Sequence, residues 1–394
     1  MPDTQRRLRL TAMDLEPILG VAEIARMPEA ELPAFINLIH RHPDPGHVAM
    51  QMCQILLAMG RDEFALEMQS RALKHRRIYR VAGHSSPTVR LLALMGPGTM
   101  SGNTPLDFVV DRIPVQLDWL FVLAGEELPA EIPDHDVLIV AIGESGRDTP
   151  ALRHVERLIA GWPRPVLNRP ERIARCARDV VFDLLEKHPG LLVARTLRAT
   201  RGEMHAIDFP ATIRPVGTQA GRGLEKVETE AELARYLERY TEPVFYVADF
   251  VDYRSQDGLY RKLRIALIDG RPYICHVAIS EHWMVHYKTA GMLDSHEKRL
   301  EEAATMRAFD RDFAFRHAVA LGAIAAALGL DYVVLDCAQA RDGKLLLFEA
   351  DNRAWIHDSD PVALFPYKRA IMQKAFDAFG AMLHERTARG TLRL

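Results

Sequence analysis

Cysteine is scarce in this chain of 394 residues: Cys53, Cys176, Cys275 and Cys337 stand far apart, with no C-x-x-C pair among them. That spacing excludes a disulfide framework or a Cys-rich zinc site and leaves four reduced packing residues of a cytosolic protein. Long apolar runs are missing too. The longest, AVALGAIAAALGL at 318–330, is too short to span a bilayer, and the opening MPDTQRRLRLTAMDLEP has charge but no apolar signal core. Nor does charge of one sign dominate: 50 Lys and Arg face 53 Asp and Glu, so no global basic field draws nucleic acid. The expectation is a soluble, cytoplasmic protein with neither nucleic acid nor membrane as partner. Familiar catalytic signatures are also absent. Gly96-Pro97-Gly98 does not complete G-x-G-x-x-G, no G-x-S-x-G occurs, and His276, His282 and His286 have no Cys or acid at zinc-ligand spacing.

What is present is apolar material, 48% of the chain, enough for two or three domains. From about Asp14 to Arg80 the pattern is helical, with a helix-turn-helix over His47 to His75 broken at Gly60-Arg61-Asp62. Residues 1–87 are therefore expected to be a helical region. Leu56, Leu57, Gly60, Ala65 and Ala72-Leu73 resemble a tetratricopeptide unit, but a solenoid needs further copies, and a plain helical cap on the next domain is the simpler reading. Such helices offer a surface for a protein partner or a dimer contact. Residues 88–170 alternate strands (VRLLALM, DVLIVAI, PVLN) with the helix TPALRHVERLIAGW, the grammar of a small parallel α/β domain. Residues 171–394 carry hairpin-like strand pairs, an α+β pattern with subdomains of about 171–245 and 246–394.

The stretch KLLLFEADNRAWIHDSDP, Lys344 to Pro361, runs from a greasy strand into a cluster of acids. Just upstream, Asp342-Gly343 is the strongest short hairpin signal in the chain. If those two residues form the turn, Arg341 opposes Lys344, and counting back sets Asp336 opposite Glu349. Asp351 shares their face by alternation, and Asn352 points away unless the strand bulges. Directly opposed like charges destabilise a sheet unless a cation lies between them. Oxygen ligands without His or Cys suit Mg2+ or Mn2+. On this reading Glu349→Gln relieves repulsion and leaves the metal-free fold as stable as before, or more so.

A second element, ATIRPVGTQAGRGLEKV at 211–227, places Gly217, Gly221 and Gly223 after Arg214 without the G-K-S/T ending of a P-loop. Glycines between two strands allow a loop whose bare amides close over phosphates. One element can hold phosphates and the other the metal that neutralises them. The order NRPERI, IRPVGTQAGRG, YVADFV, YRKLRIALIDG, VVLDCAQARDGKLLLFEADN resembles the ATP-grasp superfamily over roughly residues 88–385. Glutathione synthetase, D-alanine–D-alanine ligase and the ribosomal-protein glutamate ligases have this organisation.

The resemblance implies an ATP-grasp fold preceded by a small α/β domain, with ATP between the two α+β subdomains and the glycine loop over its triphosphate. Arg214 stands where the family usually has a lysine. Backbone groups near Asp249, Phe250 and Val251 would read the adenine edge, with Asp249 where a glutamate is common. Lys288 resembles the lysine that reaches phosphate from the second subdomain, and Arg264 the arginine of a D-x-R segment whose acid is missing here. Arg178 or Arg175 replaces a further basic residue. The metal set becomes Asp336, Glu349 and either Asp351 or Asn352. The implied activity joins a small-molecule or peptide carboxylate to an amine through an acyl phosphate, releasing ADP. Arg353 is then placed to hold a substrate carboxylate and His357, Asp358 or Asp360 to orient an amine, unless Asp358 to Pro361 simply cap the next helix. Two other classes share the nucleotide site: a kinase or phosphotransferase, and a non-catalytic nucleotide sensor using its helical N-terminus as a protein-binding module.

Overall fold

In the computed structural model the described residues are 8–144, 149–218 and 221–391. They form a mixed α/β and α+β structure with three principal sheets. The first has six strands in the order Pro17–Ile18, Ile78–Val81, Val115–Phe121, Val89–Met95, Val137–Val140, Val166–Leu167. All neighbours are parallel except Ile78–Val81 against Val115–Phe121. Its central strands are buried along nearly their whole length, as the uninterrupted apolar runs LLALM and VLIV require when both faces are covered. Helices Pro45–Ala58 and Asp62–His75 form a hairpin that packs Met50, Cys53, Ala65 and Ala72 into the same core as Leu91, Ala93 and Trp119. The helical pair is thus a cap on the sheet. The expected all-helical character of residues 1–87 fails at Pro17–Ile18 and Ile78–Val81, which are strands of this sheet. Two to four residues are too few to display a period, and Ile78 follows the helix end at His75 almost at once.

The second sheet is antiparallel, in the order Thr196–Thr200, Val244–Asp249, Ala211–Pro215, Glu225–Val227, and its small core of Ile213, Phe245, Val247 and Tyr236 is closed by helix Glu230–Arg239. The third has five strands: Arg271–Ser280, Tyr260–Ile268, Tyr332–Gln339, Leu345–Asp351 and Leu191–Val193. Alternation divides its faces. Leu263, Ile265, Val333 and Leu335 share a core with Ala303, Met306 and Ile324 of the helices His296–Ala308 and Ala318–Leu328. Ala266, Ile268, Tyr332 and Val334 face the other way, onto Met372, Ala375, Phe376, Phe379, Met382 and Leu383. Those six recur at helical spacing along Lys368–Thr391, which therefore packs against both the first and third sheets. Among the described residues no helix is long and apolar enough to cross a membrane.

Candidate active site

The hairpin that carries the acids is built differently from the simple count, yet the count's central pair survives. Asp342-Gly343 does not form a two-residue turn: Gln339 pairs with Leu345, Ala340 N donates to Lys344 O at 2.9 Å, and Gly343 takes φ 84° in a three-residue loop. That shifts the register by one. Phe348 then stands as an extra residue between the pairs Cys337–Leu347 and Asp336–Glu349 and shifts it back. Asp336 opposes Glu349 because two departures cancel.

The row extends further. Arg264 pairs with Asp336 on one side and His276 on the other, so His276, Arg264, Asp336 and Glu349 stand side by side across four strands. This is the face whose other end receives the long helix. Opposed carboxylates here are separated by cations. Asp336 accepts from Arg264 Nε at 2.8 Å and Nη2 at 3.0 Å, and from Lys262 Nζ at 3.0 Å. Burial pushes its carboxyl up, but Arg264 and Lys262 outweigh this and hold it well below the usual range. Glu349 Oε1 is bonded by Arg178 Nη2, and Arg178 also reaches Phe348 O at 3.3 Å. For Glu349 too, burial is outweighed by Arg178 and then Arg214, and its carboxyl is lowered. Of the two basic candidates on the preceding helical segment, Arg178 enters the site, while Arg175 donates to Ala327 O at the end of helix Ala318–Leu328. Lys262 occupies the position of the absent acid of the D-x-R pattern, which reverses the charge there.

Arg214 is 7% exposed and has no carboxylate within ion-pairing distance among the described residues. Its partners are the Thr218 carbonyl, through Nη2, and the Thr218 hydroxyl at 3.3 Å. Burial, followed by the neighbouring Arg178 charge, lowers it to about 10. A buried guanidinium so placed is costly unless an anion joins it. It stands at the foot of the glycine loop, where Gly217, Gly221 and Gly223 all adopt positive φ. A Cβ on Gly223 would lie 2.7 Å from Pro215 Cδ, whereas one on Gly221 would meet only Met284 Sδ, at 3.8 Å. The loop therefore reaches from the second sheet toward the segment following Arg271–Ser280 on the third.

At the end of the acidic strand, alternation stops with Asp351, its last residue. Asp351 gives its carboxylate to Arg353, which donates from N at 2.8 Å, Nε at 3.0 Å and Nη2 at 3.2 Å, and burial leaves the Asp351 carboxyl raised. Asn352, fully buried, turns its Nδ2 to Thr104 Oγ1 at 3.2 Å, Ile142 O at 3.3 Å and Ala141 O at 3.5 Å. Carbonyls only accept, so the amide orientation is forced, and Oδ1 is left buried without a partner. The open acceptor lies at Asn352, not at Asp351 as unbroken alternation favours, because the chain has already left the strand. Arg353 lies so close to Gly143 that a Cβ there would fall 1.8 Å from its Cδ. The first sheet thus holds the residues that follow the acids.

Of the adenine-reading candidates, the amides of Asp249 and Phe250 donate to Arg195 O and Pro210 O, both at 3.1 Å, so Val251 N is the one not engaged in this way. Phe250 stands edge-on to Trp283, with Lys226 Nζ 4.1 Å above its ring. Lys288 falls in the short helix Tyr287–Thr289, and its side chain lies outside the described residues. His357 is lowered by burial and lies 6.4 Å, ring to ring, from Tyr287. Asp358 is 2.9 Å from Arg112, and Asp360 accepts from Tyr287 Oη and from Lys368 Nζ at 2.8 Å. Glu302 and Lys368, fully buried beside this group, are not signalled by the sequence. Glu302 sits in an ordinary charged helix next to the equally acidic Glu301.

Among the described residues, the one set of three His, Cys, Asp or Glu ligand atoms all within 4.8 Å of one another is Glu16, His42 and His47, at the base of the helical cap. Its hydrogen bonds explain it without a metal. His42 Nδ1 accepts the Asp44 amide at 3.1 Å, which leaves the proton on Nε2, 2.7 Å from Glu16. Asp336, Glu349 and Asp351 do not form such a trio.

No family model and no curated protein matches the chain. By structure it is similar to the VanG D-Ala:D-Ser ligase of Enterococcus faecalis (12% identity, 76% of this chain and 99% of that one, TM-score 0.47). It is also similar to the D-alanine–D-alanine ligase of Bacillus anthracis, solved with ATP (15%, 77% and 98%, 0.47), and to a RimK-domain ATP-grasp protein of Sphaerobacter thermophilus (16%, 76% and 99%, 0.45).

Proposed function

We propose that this protein is an ATP-dependent carboxylate–amine ligase of the ATP-grasp kind, acting in the cytoplasm and forming an amide or peptide bond through an acyl phosphate. The observation that carries this reading is a charge surplus. Four cations, Lys262, Arg264, Arg178 and Arg214, surround the two opposed acids Asp336 and Glu349, and Arg214 has no acid of its own. A triphosphate is the kind of polyanion that would satisfy it, beneath a glycine loop whose positive φ angles let amides approach phosphate.

The donor set fits a hard divalent cation. Asp336, Glu349 and Asn352 offer only oxygen, and Asn352 Oδ1 is buried without a partner. These three would hold Mg2+, which when bound supplies charge neutralisation at the triphosphate oxygens. Arg178 and Arg214 bind phosphate from the side of the second sheet. Arg264 lies beside Asp336, where it can offset charge developing on the reacting phosphoryl and carboxylate oxygens. Arg353, fixed by Asp351 and by the Gly143 backbone, orders the start of the substrate segment that leads to His357 and Asp358. In the balanced reaction the substrate carboxylate takes the γ-phosphoryl group from ATP, releasing ADP. The neutral amine then displaces phosphate, which leaves with the bond pair of the acyl C–O bond as the C–N bond forms, and the proton lost from nitrogen passes to solvent. The helical cap shares its sheet and core with the strands of 88–170, and its outer face would be the one to meet a protein partner or a second copy.

The test is release of ADP and phosphate across pairs of candidate acids and amines. A ligase releases both only when both substrates are present. A phosphorylated product without free phosphate would replace this reading with a kinase, and tight nucleotide binding without any turnover would favour a sensor. In a thermal shift, an ATP analogue with Mg2+ should raise Tm well above the effect of AMP, because the groups described engage phosphates. Equal shifts would remove the triphosphate assignment.

A further inference from the structure

The longest apolar run of the sequence becomes the helix Ala318–Leu328, AVALGAIAAAL, which has no polar or charged side chain on any face. Its inner side is accounted for: Ala320, Leu321, Ile324 and Leu328 enter the core with Leu263 and Val333 of the third sheet. Its outer side is not. A surface helix ordinarily turns polar residues to water, and one that is apolar all round is covered on every side. Here Ala318, Val319, Gly322 and Ala326 are exposed, and steps of three and four residues set them in one stripe. Phe315, on the helical turn just before, continues it. At 76% and 74%, Phe315 and Val319 are the most exposed large apolar side chains among the described residues.

Gly322 stands in the middle of this stripe. Glycine inside a helix weakens it relative to alanine, because more chain freedom is lost on folding and no side chain packs. Neither conformation nor space calls for one at this position. Gly322 is not among the positive-φ glycines, and a Cβ built on it would meet nothing outside its own helix within 4 Å. The missing Cβ has a use when a second helix crosses this one, since the side chains at a crossing set how closely two axes approach.

We propose that this face is the contact between two copies of the chain, their helices antiparallel about a twofold axis at Gly322. Two observations select a second copy as the occupant. The first is shape. The large exposed residues, Phe315 and Val319, precede Gly322, while the outward positions after it are all alanine or glycine. The axis sets Val319 level with Ala325 of the other copy and Phe315 level with Gly329, so each projecting side chain falls on the flat half of the facing helix. The second is charge. Asp312, paired with Arg316 but with 56% of its side chain exposed, precedes the stripe. Arg172 and Arg175 stand at the far end, where they donate to the carbonyls of Gly329 and Ala327 at 2.6 and 2.9 Å. The antiparallel arrangement brings the acid of each copy to the arginines of the other. Helix Arg178–Leu185 packs beside the stripe and adds Leu184, 45% exposed, to the face. A helix of eleven residues is roughly 16 Å long, and a face of that length two helices wide is smaller than the about 800 Å² per partner of a tight complex, so the pair forms reversibly. The contact lies on the far side of the third sheet from Arg264, Asp336 and Glu349, so it is independent of the reaction proposed above and leaves both sites clear.

The test is sedimentation velocity on the full-length protein over a concentration series reaching about 100 µM. The expected result is a reversible monomer–dimer equilibrium with Kd on the order of 10 µM. Val319→Glu puts a charge into the contact and should weaken the dimer about a hundredfold, leaving monomer throughout the series. At 74% exposure the same change costs the monomer little, so the Tm of dilute protein should stay where it is. Gly322→Ala should raise the Tm of dilute protein by strengthening the helix, yet raise Kd about tenfold by holding the two axes apart. Wild type that stays monomeric throughout overturns the proposal, and pelleting of that monomer with phosphatidylcholine vesicles would assign the face to a lipid surface instead. A dimer that survives both substitutions is held by another surface, the helical cap included, and overturns it equally. If Val319→Glu does not fold, Gly322→Ala decides alone: an unchanged Kd overturns the proposal.

Discussion

The two ends of one sheet face bury their charges in different ways. Around Glu349 the cations exceed the acids, and the unsatisfied group is a guanidinium, Arg214. Around Glu302 two acids, Glu302 and Asp360, share Lys368, and the unpartnered atom is His276 Nε2. Both ends are buried, and both belong to the register row His276–Arg264–Asp336–Glu349. A structural salt bridge balances itself. The guanidinium surplus at the Glu349 end is the feature a triphosphate would answer in the proposed function, whereas at the Glu302 end the polar groups bond chiefly to one another. In the proposed reaction ATP is the phosphoryl donor, and the groups joined are the substrate carboxylate and the amine.

The comparison is broken most severely at Glu349. Glu349→Gln should lower turnover on the order of a thousandfold, since both the metal ligand and the partner of Arg178 are changed. The structure reverses the expected effect on stability. Opposed acids alone would make removal of one charge favourable, but Glu349 compensates Arg178 and offsets Arg214. The ligand-free variant should therefore lose about 1 to 3 kcal/mol, less than a fully buried pair would because Glu349 keeps 26% of its side chain exposed. Turnover across a magnesium titration, beside the melting temperature of the ligand-free protein, reads both. A more stable Glu349→Gln would show that its repulsion with Asp336 outweighs the arginine pairing.

A change at Arg214 sharpens the same end from the other side. Arg214→Met removes a buried charge that lacks an acid, so the ligand-free protein should melt at an equal or higher temperature while affinity for an ATP analogue falls about a hundredfold. Stability and binding then move in opposite directions, which an ordinary core arginine would not produce. A drop in both would mean that its bonds to Thr218 hold the loop together and that phosphate has no claim on it.

Much of the Glu349 end is legible in the sequence, and the reasons show why the His276 end is not. Asp336, Glu349 and the glycines announce themselves because acids on a strand and clustered glycines are out of place locally. Even so, Asp336 meets Glu349 only through a three-residue loop and a bulge at Phe348, neither of which the local sequence marks. Asn352 lay beyond the reach of alternation because its partners, Thr104, Ala141 and Ile142, are more than 200 residues away. Glu302 and Lys368 look like ordinary helical charges. Only the packing of two helices, His296–Ala308 and Lys368–Thr391, against one sheet edge makes them neighbours. The edge strand Thr196–Thr200 escapes for a different reason: it is largely exposed, so no apolar period marks it.

The smallest expected effect tests the His276 end through pH. His276 is depressed from 6.5 to about 4, with burial the first cause; the charged and titratable groups facing it are Glu302 from one helix, Lys368 from another, Arg264 from the adjacent strand and Tyr287 from the following turn. The unfolded chain binds a proton at this position below about pH 6.5, and the folded protein does not until near pH 4. Stability is therefore complete above 6.5 and declines as pH falls through that window. Between pH 6.5 and 5.5 this one residue should account for about 1 kcal/mol. Glu302 does not blur the measurement, because its own depression, to about 2, acts at lower pH. His47, His135, His317 and His357 are also lowered and contribute to the total slope, so the quantity to measure is the difference between wild type and His276→Gln in urea unfolding at the two pH values. A smaller slope in the variant is expected. Identical slopes would mean that His276 takes up its proton over the same range in the folded protein as in the unfolded chain, and a larger slope in the variant would mean that it is already protonated when folded, with its charge paired to Glu302.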